Sequence, residues 1–242
     1  MKVNFKFLFI ICIGLLCSAT DGKAQLSGAY NVYYFRYNFD PSYYRDGNYY
    51  GIPFEGSPWF SKDFIPARIR LFSGEDMEGG NFKLNLYNGR VFTEDDRQRL
   101  IVITSPIERI EFLQENKKAA VFQAGFPKID KQNGLSLYQV LAEGSAKLLK
   151  YIRFTMSDRM EYGQGVTFKM DPLFYFYIFA DGKMHPVYKV DDLMRLFPGW
   201  TNEVKGFIER EGLKVKKETD LVKIVSFYNS LASLKPDDSE GP

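Results

Sequence analysis

The chain has 242 residues, with 32 Lys and Arg against 30 Asp and Glu, and 17% of it is aromatic. Lys2, Lys6 and Lys23 against Asp21 carry the whole positive excess, so the remainder is neutral with its signs interspersed, which excludes the basic footprint of a nucleic-acid binder. Both cysteines, Cys12 and Cys17, fall within residues 1–24, which excludes disulfides and thiol catalysis from the remainder and leaves its stability to a hydrophobic core.

The N-terminus reads as a targeting segment. Lys2 and Lys6 precede an uncharged run from Phe7 to Leu16, and Gly22 and Ala24 are the small residues before Gln25. A basic start, a short apolar core and a small-residue exit predict a secretory signal peptide over residues 1–24, cut before Gln25. The apolar run is shorter than the roughly twenty residues that cross a bilayer. A lipid anchor at Cys17 is the alternative, but it calls for a small residue where Leu16 stands. No later segment is long and apolar enough to span a membrane, so the expectation is an exported protein, periplasmic, outer-membrane-associated or secreted.

Residues 25–61 form an aromatic-rich strand and loop. Asn31 to Tyr37 has strand character, whereas turn formers dominate from Asp40 to Pro58 and predict a long aromatic loop or covering flap. Tyr43, Tyr44, Tyr49, Tyr50 and Trp59 are the candidate recognition residues. Their flat apolar faces with polar tips suit sugar rings and protein partners. The competing expectation is that they close over the core as a lid.

Residues 62–189 read as a β-rich core. Strands are predicted at Ala67–Phe72, Phe82–Leu86, Arg90–Thr93, Leu100–Thr104, Arg109–Leu113, Ala119–Ala124, Ser136–Ala142, Lys147–Thr155, Leu173–Ala180 and Met184–Val190. Asn88-Gly89 predicts a type I′ hairpin turn, and Asp181-Gly182 marks the clearest hairpin. The period changes over residues 190–234. A short helix is expected at Asp191–Phe197, a second capped by Thr201 with Val204, Phe207 and Ile208 on one stripe, and a third from about Lys217. In the third, Leu221, Ile224, Val225, Tyr228 and Leu231 make the apolar stripe, with Lys223, Ser226 and Asn229 opposite. Residues 235–242 read as a disordered tail. The expected class is α+β, mainly β: an antiparallel β-meander or partly closed barrel with two or three C-terminal helices.

Gly56-Ser57-Pro58-Trp59-Phe60, the stretch from Phe82 to Phe92, and the ending that holds Asp220-Leu221-Val222-Lys223 and Phe227 to Leu231 resemble a family of exported envelope proteins of Gram-negative bacteria that has no assigned activity. The resemblance runs from about residue 56 onward. It implies export and the envelope, and transfers no catalytic residue.

The residue types limit the chemistry. His185 is the single histidine, and the nucleophile-elbow pattern that would accompany it in a catalytic triad is absent. One histidine without cysteine does not assemble a zinc site. The acidic turns at Glu75–Glu78 and Glu94–Asp96 lack a calcium-loop frame, and the glycine pairs lack phosphate-loop frames. These observations predict no catalytic residue, no metal and no cofactor. They point to a non-catalytic protein that binds an envelope protein or a glycan. A carboxylate-dependent hydrolase acting on a glycan is the alternative, because two acidic residues in a cleft would suffice for it.

Overall fold

A computed structural model describes residues 44–45, 48–49, 52–97, 99–114, 117–161, 165–197 and 199–234. The expected signal peptide, the strand at Asn31–Tyr37 and the tail at 235–242 lie outside the described residues. Thirteen strands are described: β1 (Tyr44–Arg45), β2 (Asn48–Tyr49), β3 (Ile52–Glu55), β4 (Ile65–Leu71), β5 (Asp76–Leu84), β6 (Val91–Glu94), β7 (Leu100–Val102), β8 (Ile107–Gln114), β9 (Lys117–Gln123), β10 (Tyr138–Ala142), β11 (Lys147–Glu161), β12 (Gly165–Ala180) and β13 (Lys183–Pro186). Three helices follow: α1 (Val190–Leu196), α2 (Thr201–Glu211) and α3 (Glu218–Ala232). The molecule is mainly β with C-terminal helices, as its sequence predicts.

All the strands join one sheet in the order β1-β2-β3-β12-β11-β10-β9-β8-β4-β5-β6-β7, with β13 on β12. The sheet is open, ending at β1 and β7, and not a closed barrel. Two pairings depart from a pure antiparallel meander: β4 lies beside β8, and β3 runs parallel to β12 through Phe168↔Phe54 and Lys169↔Glu55. Among the described residues no helix is long and apolar enough to cross a membrane.

Period-two alternation builds the first cluster. In β4, Ala67, Ile69 and Leu71 are buried while Pro66, Arg68 and Arg70 face water. They pack with Phe82 and Leu84 of β5, Ile110 and Phe112 of β8 and Phe122 of β9. Outside, Arg70 grips Asp76 on the neighbouring strand through two 2.8 Å bonds.

A second and a third cluster lie on opposite faces of the β11–β12 ribbon. Leu148 and Ile178 point to the helices, joining Leu193, Phe197, Val204, Ile208, Leu221, Ile224 and Val225. Their neighbours Leu149 and Tyr177 point the other way, under a loop over residues 124–137 that contributes Phe126 and Ile129. Covered on both faces, this end of the ribbon reads as the continuous apolar run the sequence shows.

Several local expectations change. The type I′ turn at Asn88-Gly89 is replaced by a longer connection, because Asn85 pairs with Arg90 and its side-chain oxygen accepts the N–H groups of Tyr87 and Asn88. Gly89 supplies the left-handed residue there, at φ 71°. Asp181 and Gly182 do form the tight hairpin turn, both at positive φ. Thr201 is the first helical residue of α2 and not its cap; its hydroxyl donates backward to the carbonyl of Phe197. Gly212 ends that helix in the left-handed conformation. The expected loop from Asp40 to Pro58 contains β3, whose Phe54 is buried against the ribbon. Asn229 faces inward and not to solvent: it accepts the N–H of Ala146 and donates to the carbonyls of Ala146 and Glu143.

Candidate functional site

Three of the five expected recognition residues, Tyr44, Tyr49 and Trp59, fall among the described residues. Tyr43 and Tyr50 lie outside the described residues. The backbones of Tyr44 and Tyr49 pair across the β1–β2 hairpin. Trp59 lies outside that hairpin in the chain and forms an antiparallel bridge with Asn85. It is half-buried, its ring meets Phe92 edge-on at 5.3 Å, and the Lys83 ammonium lies 4.8 Å above it. Edge-on aromatic packing and the ammonium over the ring hold the indole in place.

His185 sits in β13 opposite Ile178, half-buried, as expected for a strand residue beside a turn. Several carboxylates are engaged in structural bonds. Arg109 bridges Glu111 and Glu143 at 2.9 and 2.8 Å, tying β8 to the turn before β11. Asp192 accepts the N–H groups of Tyr188 and Lys189 and an Arg195 bond, which hold its carboxyl below the ordinary range despite some burial. For Asp220 burial pushes the carboxyl upward, but the Lys214 N–H, Lys217 and Thr219 outweigh it and hold it low. Asp95 is held low by the Arg99 backbone and guanidinium, and Asp76 by Arg70. A general acid needs the opposite displacement.

Two buried tyrosines lie under the 124–137 loop. Tyr177 donates to Asp130 at 2.8 Å, and burial, then this bond, pushes its hydroxyl well above the ordinary tyrosine range. Tyr138 packs edge-on against Tyr177, and burial pushes it upward as well. Asp130 adopts a left-handed backbone, φ 50°, to present its carboxylate there. The surrounding aromatic packing leaves this cluster enclosed, and it reads as a clasp for the loop.

An apolar cleft lies on the helix side of β12, at residues the sequence does not single out. This cleft of about 460 Å³ runs between Phe174 and Phe176 of β12, Val187 and Tyr188 after β13, and Val215 and Lys216 before α3. Phe174 is 52% exposed and Tyr188 63% exposed, both large for aromatic side chains in a folded domain. Behind Phe174, Lys150 is only 9% exposed; its ammonium lies 5.4 Å from the centre of the Phe174 ring and pairs with Glu218 of α3 at 3.0 Å. Among the described residues Lys216 has no ion-pair partner, so the rim carries an uncompensated cation.

The cleft exists because β12 is longer than its neighbours. β3 covers it at Phe168 and Lys169, and β13 covers it from Tyr177 to Ala180, which leaves Asp171–Tyr175 without a strand on that side among the described residues. Pro172, in that interval, lacks the N–H a ladder would use, and prolines in sheets occur at such edges. An aromatic strand interrupted at its start by proline is the sequence signal for the cleft. Comparison of the chain with family models, with curated proteins and with solved structures gives no match.

Proposed function

We propose that this is an exported, non-catalytic protein of the cell envelope that binds a protein partner or ligand. The cleft carries the reading: exposed aromatic faces, an apolar floor of Phe176, Val187 and Val215, and on the rim a Lys216 ammonium with no ion-pair partner among the described residues are recognition chemistry. Its lining residues include no carboxyl group, and every described carboxyl with a displaced acidity is displaced downward. Both observations favour binding over the glycan-hydrolase alternative. Export rests on the composition of residues 1–24, and the envelope on the family resemblance. Tyr43, Tyr44, Tyr49 and Tyr50 remain candidates for a second contact surface.

The test is recovery of cross-linked partners from the native envelope with the wild-type protein and with Phe174→Ser and Tyr188→Ser. The reading expects unchanged melting temperatures and lost partners. Full recovery with both variants contradicts it, as does turnover of a glycan by the wild-type protein.

A further inference from the structure

At Phe174 and Tyr175 the cleft opens onto the gap between β3 and β13 in the edge of the sheet, and the hydrogen bonds around that gap say which main-chain groups it leaves open among the described residues. Along a strand, successive residues turn their N–H and C=O to opposite edges. Phe176 turns toward β13, since its carbonyl accepts the Val187 N–H at 3.0 Å. Asp171 turns the other way, toward β11, where its carbonyl accepts the Thr155 hydroxyl at 3.4 Å. Met170 again faces the β3 side, its carbonyl so close to Gly56 that a side chain there would collide with it. Three independent contacts fix the same alternation. Phe174 and Pro172 therefore face the open edge, offering one N–H and two carbonyl groups. The interval from Asp171 to Tyr175 is about 17 Å long at ~3.3 Å per residue.

We infer that this gap takes a short extended peptide segment of about five residues, which completes the sheet between β3 and β13 by bonding to Phe174 and Pro172. The segment sets an apolar side chain into the cleft and an acidic group beside Lys216. This rests on the binding reading above and names its ligand class. Strand addition gains main-chain bonds from the edge and selectivity from pockets for alternate side chains, and the gap has both. Strands that bound it at both ends limit the length of the guest. The missing N–H at Pro172 leaves Phe174 as the only donor across the interval, so the guest's register is set at one residue. An apolar side chain on the guest residue that faces Phe174 falls on the helix side, against Val187 and Val215. The Lys216 ammonium, without an ion-pair partner among the described residues, selects acidic flanks.

The probe is a library of labelled five-residue peptides with Glu at both ends and Val, Ile, Leu, Phe or Tyr between, titrated by fluorescence anisotropy. The best binder is then remade in two forms, one N-methylated at residues 2 and 4 and the other at residues 1, 3 and 5. Strand addition expects one form to lose at least tenfold in affinity while the other stays within about threefold, because only one edge of the guest meets the sheet. It also expects Lys216→Glu to weaken binding at least fivefold with no change in melting temperature. Equal effects of the two methylated forms overturn strand addition while leaving a binding cleft in place. Absence of any peptide binding up to millimolar concentration overturns the inference itself. The binding reading is then judged separately, by recovery of cross-linked partners with Phe174→Ser and Tyr188→Ser.

Discussion

The β11–β12 ribbon is covered unequally along its length. From Lys147 to Lys150, and from Phe176 to Ala180 opposite, it has strands on both edges, helices on one face and the 124–137 loop on the other. Past Tyr151, and across Asp171–Tyr175, β11 and β12 have only each other as strand partners among the described residues. The same two strands serve as core at one end and as accessible edge in the middle. A long strand beside short neighbours is enough to make that change, with no break in the backbone.

The largest effect separating the two regions comes from cavity formation. Leu149→Ala, at a fully buried position, is expected to lower unfolding free energy by about 3 kcal/mol, whereas Leu173→Ala in the open interval changes it by less than about 0.5 kcal/mol. Urea denaturation of the two variants measures the contrast, and equal losses would erase the distinction. Next is Asn229→Leu, expected to cost about 2–3 kcal/mol, since it leaves the Ala146 N–H and carbonyl and the Glu143 carbonyl without their partner. Lys223→Ala on the same helix serves as a neutral control. Glu218→Gln is expected to cost about 2 kcal/mol, because Lys150 stays buried while its counter-charge is lost. If instead that variant is neutral, Lys150 reaches water, and the packing behind Phe174 is looser than described.

Acidification gives a smaller, graded effect. Asp76, Asp95, Asp192 and Asp220 all have folded-state values lowered from the ordinary 3.8. Their stabilisation is present above that value and is lost as pH falls through the lower folded values. At the alkaline end Tyr138 and Tyr177 are raised, so their contribution is full below the ordinary value near 10 and declines as pH rises beyond it. Melting temperature against pH should therefore be flat in the neutral range and fall at both extremes. A rise on acidification would contradict the assigned bonds. The smallest stability change, below about 0.5 kcal/mol, is expected for Phe174→Ser, whose effect should appear in binding alone.

What the sequence reveals follows the same division. Phe176–Ala180 and the helix stripe at Leu221, Ile224 and Val225 are apolar because they are buried or half-buried, and their elements can be read from that pattern. The outer parts of β11 and β12, around Ser157-Asp158-Arg159 and Lys169-Met170-Asp171-Pro172, face water on at least one side and carry turn-like residues, so they read as loop. β3 escapes notice because its partner lies more than a hundred residues later, it contains Pro53 and Gly56 follows it. Asn229 looks like a surface residue by helical period, yet it fills the space over Gly144, which has no side chain to oppose it. The cleft is hidden for a different reason: an edge is defined by which neighbours a strand lacks, and no local residue pattern states that. Pro172 beside an aromatic run is the only hint.

Amide hydrogen exchange across residues 171–175 tests the open edge most directly. The account predicts slow exchange at Asp171, Leu173 and Tyr175, whose N–H groups face β11, and fast exchange at Phe174, whose N–H faces the gap. Addition of a binding peptide should then slow Phe174 selectively. Protection of Phe174 equal to that of Tyr175 in the free protein would show that the edge is already paired, and would contradict the claim that this interval is the site of recognition.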